Sequence, residues 1–295
     1  MRIVDAHHHY WDPSRNYHPW LRDMPMIPFR YGDYSAIRRP FLPEDYDAAA
    51  RNWQVATTVT MEGEWDPDDP AGEAVWMQDL ATRTGRPGAH VAQIWLDRPD
   101  CAAVLDRYAD IPLVRSVRHK PRSTARPGMG TGGLSDPAYL RGVAQLAHTG
   151  LMFDLQTNWW HLPEIAAIRK ISADLPVIVN HTGLPSDRSP EGIAGWRRTL
   201  GAAAGMENVY LKISGLGLPG RPWRIEDNCD IIRIAIDTFG PDRAMFASNF
   251  PVDGLCGSFD TIFGGFETAS ADYSPAERAA LFAGTATRIY GLDVA

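Results

Sequence analysis

Residues 151–181, LMFDLQTNWWHLPEIAAIRKISADLPVIVNH, hold the pattern that decides the fold. Met152–Gln156 is a short apolar run, and Val177–His181 is a second one rich in β-branched residues. Between them, Leu162–Ala173 repeats apolar residues at helical spacing. Pro163-Glu164 marks a helix start, because proline's missing N–H costs nothing in the first turn and an acid there complements the helix dipole. Two strands joined through a helix lie parallel, since a tight hairpin cannot connect them.

The same alternation continues in both directions. Strands are expected at Ile3–Ala6, Val55–Met61, His90–Leu96, Leu113–His119, Met152–Gln156, Val177–His181, Val209–Ser214 and Ala244–Ala247. Helices are expected at Pro43–Trp53, Gly72–Thr84, Cys101–Asp110, Pro137–Thr149, Leu162–Ala173, Glu191–Ala204, Ile225–Phe239 and Pro275–Tyr290. Eight such repeats in 295 residues predict an α/β fold, a single (β/α)8 TIM barrel over residues 1–295. A doubly wound open sheet is the alternative, because alternation alone does not show closure. Two connections exceed a plain barrel loop: residues 10–42 after the first strand and roughly 120–136 after the fourth. Both leave the C-terminal ends of strands, the face on which barrel active sites lie. Loops of that length are more often functional than incidental.

Composition narrows the classes. A net charge of −7 offers no broad basic footprint for nucleic acid. No run of 18 apolar residues suits a membrane, and MRIVDAHHHYWD lacks the apolar core of a secretory signal. Three cysteines without CxxC spacing suggest a reducing, cytoplasmic setting. The expected partner is a small anionic substrate, acted on by a monomer or homodimer.

Ionisable residues collect at the expected strand ends. The first strand runs into Asp5-Ala6-His7-His8-His9, the second into Glu62-Gly63-Glu64, and the fourth into Arg118-His119-Lys120. The fifth ends in Asp154-Leu155-Gln156, the sixth in Asn180-His181, the seventh in Lys212-Ile213-Ser214 and the eighth in Ser248-Asn249. Side chains alternate along a strand, so His7 and His9 share a face, about 7 Å apart along the chain. With His181 from across the barrel mouth they could chelate one divalent ion, and three imidazoles suit zinc. Arg118, Lys120 and Arg122 form a cationic cluster fit to grip a carboxylate, with Glu62, Gln156 and Trp11 as further substrate contacts. Gly128–Gly133 formally satisfies GxGxxG but follows a Pro/Arg-rich loop instead of a strand, so a dinucleotide site is rejected.

Asp5–Asp12, Val179–Pro185 and Phe246–Asp253 together resemble the amidohydrolase superfamily, most closely its amidohydrolase-2 branch. That branch includes lactonases acting on 2-pyrone-4,6-dicarboxylate, sulfomuconolactone and L-fuconolactone. Thr285–Leu292 resembles its closing helix. The resemblance implies a barrel hydrolase in which His7 and His9 are the strand-one pair and His181 the strand-six histidine. It also implies a mononuclear metal site, zinc or manganese, or a site that works without metal. The family's strand-eight aspartate is replaced here by Asn249, which is neutral and cannot act as a base. Asp253, Glu62, Glu64 or a histidine could take over that role. The expected reaction is opening of a small carboxylated lactone or cyclic ester by water attack. The alternatives are non-oxidative decarboxylation of an aromatic acid, or a catalytically silent barrel that binds a sugar acid.

Overall fold

The computed structural model describes residues 1–294; Ala295, at the end of the expected domain, lies outside the described residues. Eight parallel strands follow one another in chain order: β1 (Arg2–His8), β2 (Gln54–Met61), β3 (Ala89–Gln93), β4 (Val114–Arg118), β5 (Met152–Leu155), β6 (Val177–Val179), β7 (Val209–Ile213) and β8 (Ala244–Phe246). The sheet curls until β8 meets β1. The Asn249 N–H donates to the His7 carbonyl and the His9 N–H to the Phe250 carbonyl, both at 2.7 Å. The result is a (β/α)8 barrel, closed at its upper rim just beyond β8.

Two apolar layers hold it. Ile3, Val117, Phe153, Leu155, Val179 and Leu211 point outward into the large cluster shared with the surrounding helices. Val4, Ala6, Met61, Val91, Ile178 and Met245 fill the interior, joined by Ala286, Tyr290 and Leu292 from the C-terminal segment. A packed interior leaves the strand ends as the place for a site.

One irregularity decides which histidines reach that site. Val4 and Ala6 face inward, so strict alternation would send His8 in after them. The β1–β2 register instead shifts between Asp5 and His8. This bulge re-aims the strand. His8 turns outward onto Tyr46, at 4.4 Å between ring centroids, while His7 lies against His181.

The strands stop short of their expected ends at Gln93, Val179, Ile213 and Phe246, because the chain turns there to present side chains. The expected helix Leu162–Ala173 is a 3-10 turn over Trp159–Glu164 followed by a helix over Ile165–Ile171. The final helix is interrupted by a π-helical turn over Ala280–Gly284. A further helix, Phe259–Ala269, had no sequence expectation because Gly264-Gly265 lowers its helical propensity. Gly265 is needed there: a Cβ would stand 2.2 Å from the Trp223 ring.

Asp5 fastens the seam. Fully buried, it accepts the Ser248 N–H at 2.8 Å, the Ser248 hydroxyl at 2.5 Å, the Tyr46 hydroxyl at 2.9 Å and the His7 N–H at 3.3 Å. Burial pushes its carboxyl up to about 6, against the pull of those donors. Asp5→Ala strands several buried donors at about 1–3 kcal/mol each, so urea unfolding should show a loss of about 3 kcal/mol or more. A loss below about 1 kcal/mol would mean that the seam closes without this carboxylate.

Candidate active site

Three imidazoles meet where β1 and β6 end. The His7 ring centroid lies 4.5 Å from that of His181 and 5.3 Å from that of His9. His9 Nδ1 is 3.0 Å from the Met61 carbonyl, which can only accept, so the proton sits on Nδ1 and Nε2 keeps its lone pair. His181 Nδ1 is 3.0 Å from Ser214 Oγ. His7 is fully buried with no partner on either ring nitrogen. Burial holds all three well below the usual histidine range. His181 adds to the effect at His7, Arg118 at His9 and Arg30 at His181. They are neutral, with lone pairs free to bind or accept.

The turn that carries His181 is strained. His181, Thr182 and Leu184 take φ of 53°, 58° and 57°, a region that non-glycine residues rarely occupy. The ring also needs Gly215 beside it, since a Cβ there would stand 2.7 Å away.

Among the described residues no three His, Cys, Asp or Glu side chains are arranged to enclose a metal ion. The donor chemistry still fits one. Two of the neutral imidazoles have their second nitrogens anchored on protein oxygens, as zinc-binding histidines do, and the third has both nitrogens unpartnered in a buried setting.

A cavity of about 260 Å³ opens over this cluster. His9, His181 and Asn249 line it together with Glu62, Arg118, Lys120 and Gln156. Arg118 is buried and fixed on three sides. Its Nε donates to Glu62 Oε1 at 2.5 Å, its Nη1 to Gln156 Oε1 at 3.1 Å and its Nη2 to the Glu62 carbonyl at 2.9 Å. Burial alone would raise the Glu62 carboxyl, but Arg118 and Lys120 hold it down at about 2. Lys120 pairs with Glu64, whose φ of 57° is another left-handed backbone at the cavity wall.

Other residues singled out in the sequence lie elsewhere. Trp11 is fully buried, and its indole N–H is spent on the Ile37 and Arg39 carbonyls, so it braces the long first loop and cannot meet a ligand. Arg122 is turned to Asp136 at 3.4 Å and to the Thr131 and Gly132 carbonyls, on the outside of the second long loop. Asp253 stands behind Asn249 instead of at the cavity. Its Oδ1 accepts the Asn249 amide at 2.6 Å and the Tyr31 hydroxyl at 2.8 Å, with Arg30 at 3.5 Å. Burial raises its carboxyl against the opposing charge of Arg30. Asp253 therefore positions Asn249 and Arg30. Lys212 is buried on Asp154 at 2.8 Å and does not reach the cavity.

Arg30 and Phe29 line the cavity without having been singled out as site residues. The length of the 10–42 loop was the available signal, but within it Pro28-Phe29-Arg30-Tyr31 carries no periodicity that would mark one residue.

The Arg118–Glu62 pair makes a stability prediction. Arg118→Met leaves a buried carboxylate unpaired and should cost about 3–5 kcal/mol, whereas Arg118→Met with Glu62→Leu should recover most of that loss. A double variant no more stable than the single one would show that the two groups do not depend on each other.

Comparison with known proteins accords with this geometry. A profile of the amidohydrolase family matches residues 4–292. The chain is 37% identical over 294 residues to the uncharacterized protein y4mH of Sinorhizobium fredii, covering 98% of both chains. It is 27% identical over 302 residues to the L-fucono-1,5-lactonase of Burkholderia multivorans, covering 98% of this chain and 96% of that one. Among solved structures, an amidohydrolase from Burkholderia multivorans with bound zinc superposes with a TM-score of 0.79 at 26% identity, covering 99% of this chain and 100% of that one. A family match over nearly the whole length, on a barrel with histidines at these strand ends, places this enzyme in the amidohydrolase family.

Proposed function

We propose that the enzyme opens a lactone, or a related cyclic ester, that carries a carboxylate, by adding water to its acyl carbon. The observation that carries this reading is a cluster of three neutral imidazoles, of which His9 and His181 line one small cavity with His7 packed against both, in a wall that also holds Arg30, Arg118 and Lys120. Likeness to an L-fucono-1,5-lactonase over nearly the whole chain supports the lactone as the reacting group.

Arg30 Nη1 is buried without a partner, and with Lys120 it would hold the substrate carboxylate. Arg118 is immobilised by Glu62 and Gln156, so its charge faces the cavity at no further entropic cost. The Asn249 amide nitrogen is committed to Asp253, which leaves its oxygen to accept a hydrogen bond from water or from a substrate hydroxyl. When an ion is bound, His7, His9 and His181 would hold it, and it would supply Lewis acidity and a more acidic water. The zinc in the Burkholderia relative supports that choice of metal.

The proton released from water is assigned to Glu64. Glu62 has one oxygen on Arg118 and the other on the Glu64 N–H, and Asp253 is turned away. Glu64 lines the cavity and engages Lys120 through only one of its oxygens.

A pH-indicator screen of lactones with and without a carboxylate should find turnover confined to the carboxylated ones, with metal content measured on the same protein. In that assay His181→Ala should lower kcat/KM by about 10²-fold or more, and Glu64→Gln by about 10²–10⁴-fold. Full activity in His181→Ala would remove the imidazole cluster from the reaction. Release of carbon dioxide from an aromatic acid, with no lactone opened, would replace this reading with decarboxylation.

A further inference from the structure

The small cavity does not end at its own wall. A second chamber of about 460 Å³ adjoins it, and the two share Trp20, Ile27, Glu62, Glu64, Arg118 and Lys120. The inner chamber alone is smaller than the roughly 300–1,000 Å³ of typical small-molecule sites, whereas the two together fall within that range. The outer chamber has a different character. Trp20, Trp65 and Trp95 reach it, each half-buried, along with Ile94 and Pro67. Ile27, at the junction of the chambers, is 50% exposed, an apolar side chain that a ligand would cover.

Three polar groups of the outer chamber are spent on the protein. The Trp20 N–H donates to the Gly63 carbonyl at 2.8 Å, and the Gln93 amide donates to the Trp65 carbonyl at 3.1 Å. His119 Nδ1 accepts the Leu96 N–H at 3.1 Å, and its ring stacks on Tyr139. A flat apolar ring would find indole surface here, in the chamber's lining of Trp20, Trp65 and Trp95. The cations that would hold a carboxylate stand at the inner end of the same passage.

The geometry points to a binding subsite in the outer chamber for an aromatic ring carried by the substrate, making the substrate class an aryl-substituted anionic lactone. That the ring belongs to a lactone rests on the hydrolase reading above; that the chamber binds it does not.

Calorimetric titration with 3-phenylpropionate and with propionate tests the chamber directly, because the two acids differ only in the ring. The phenyl acid should bind about 10-fold tighter or better, as burial of one ring predicts. Trp95→Ala and Trp65→Ala should each weaken the phenyl acid by about 5-fold and leave propionate unchanged, with unfolding midpoints reporting that both variants remain folded. Equal binding of the two acids overturns the subsite, as does wild-type affinity for the phenyl acid in both folded variants. A matched pair of carboxylated δ-lactones, with and without a phenyl substituent, then reads the same preference in kcat/KM. If neither lactone turns over while the phenyl acid still binds through Trp95, the hydrolase reading fails and the subsite stands.

Discussion

The structure depends on one buried carboxylate. Asp5 gathers the Ser248 main chain and hydroxyl, the Tyr46 hydroxyl and the His7 N–H onto its two oxygens, at the point where the last strand must meet the first. From there constraint passes outward by hydrogen bonds. Ser248 fixes Asn249, whose N–H holds the His7 carbonyl and whose amide holds Asp253. Asp253 then reaches Tyr31 and Arg30 in the long loop after β1. A single chain of contacts thus links barrel closure, the histidine strand, the strand-eight carboxamide and a cavity cation. Low-dielectric surroundings make each link costly to break, which gives the site its preorganisation.

The charges around the site follow the same logic. In a chain of net charge −7, the cavity wall is nonetheless cationic, and the buried cations in and below it are paired: Arg118 in the wall with Glu62, Lys212 inside the barrel with Asp154. Pairs of this kind cost desolvation energy and are weak sources of stability. Their use here is positional. Glu62 holds Arg118 immobile beside His9, and Asp154 with Tyr290 keeps Lys212 inside the barrel below the imidazoles.

Much of the fold was legible because eight strand–helix repeats leave a strong periodic trace, and the ring closes where Asp5 and Ser248 stand near the two ends of the chain. What could not be read was local phase. Counting alternate residues back from His7 and His9 would turn Val4 and Ala6 outward, yet both lie inside, because a bulge shifts β1 between them and the histidines. Trp11 and Arg122 resembled ligand contacts by position alone, and backbone carbonyls claim them both. Asp253 carried the right chemistry in the right motif, but the turn over residues 250–252, closed by the Asp253 N–H on the Asn249 carbonyl at 3.0 Å, places it behind Asn249. Arg30 was hidden for the opposite reason: a long aperiodic loop carries it, and only the folded chain shows where that loop lands.

The account stands on water adding to an acyl carbon at the imidazole face. Turnover, in ¹⁸O-enriched water, of the first carboxylated lactone that the enzyme opens reads this step by mass spectrometry of the product. One heavy oxygen in the newly formed carboxylate is the predicted result. Label in the released hydroxyl, which would mean attack at the alkyl carbon, would contradict it.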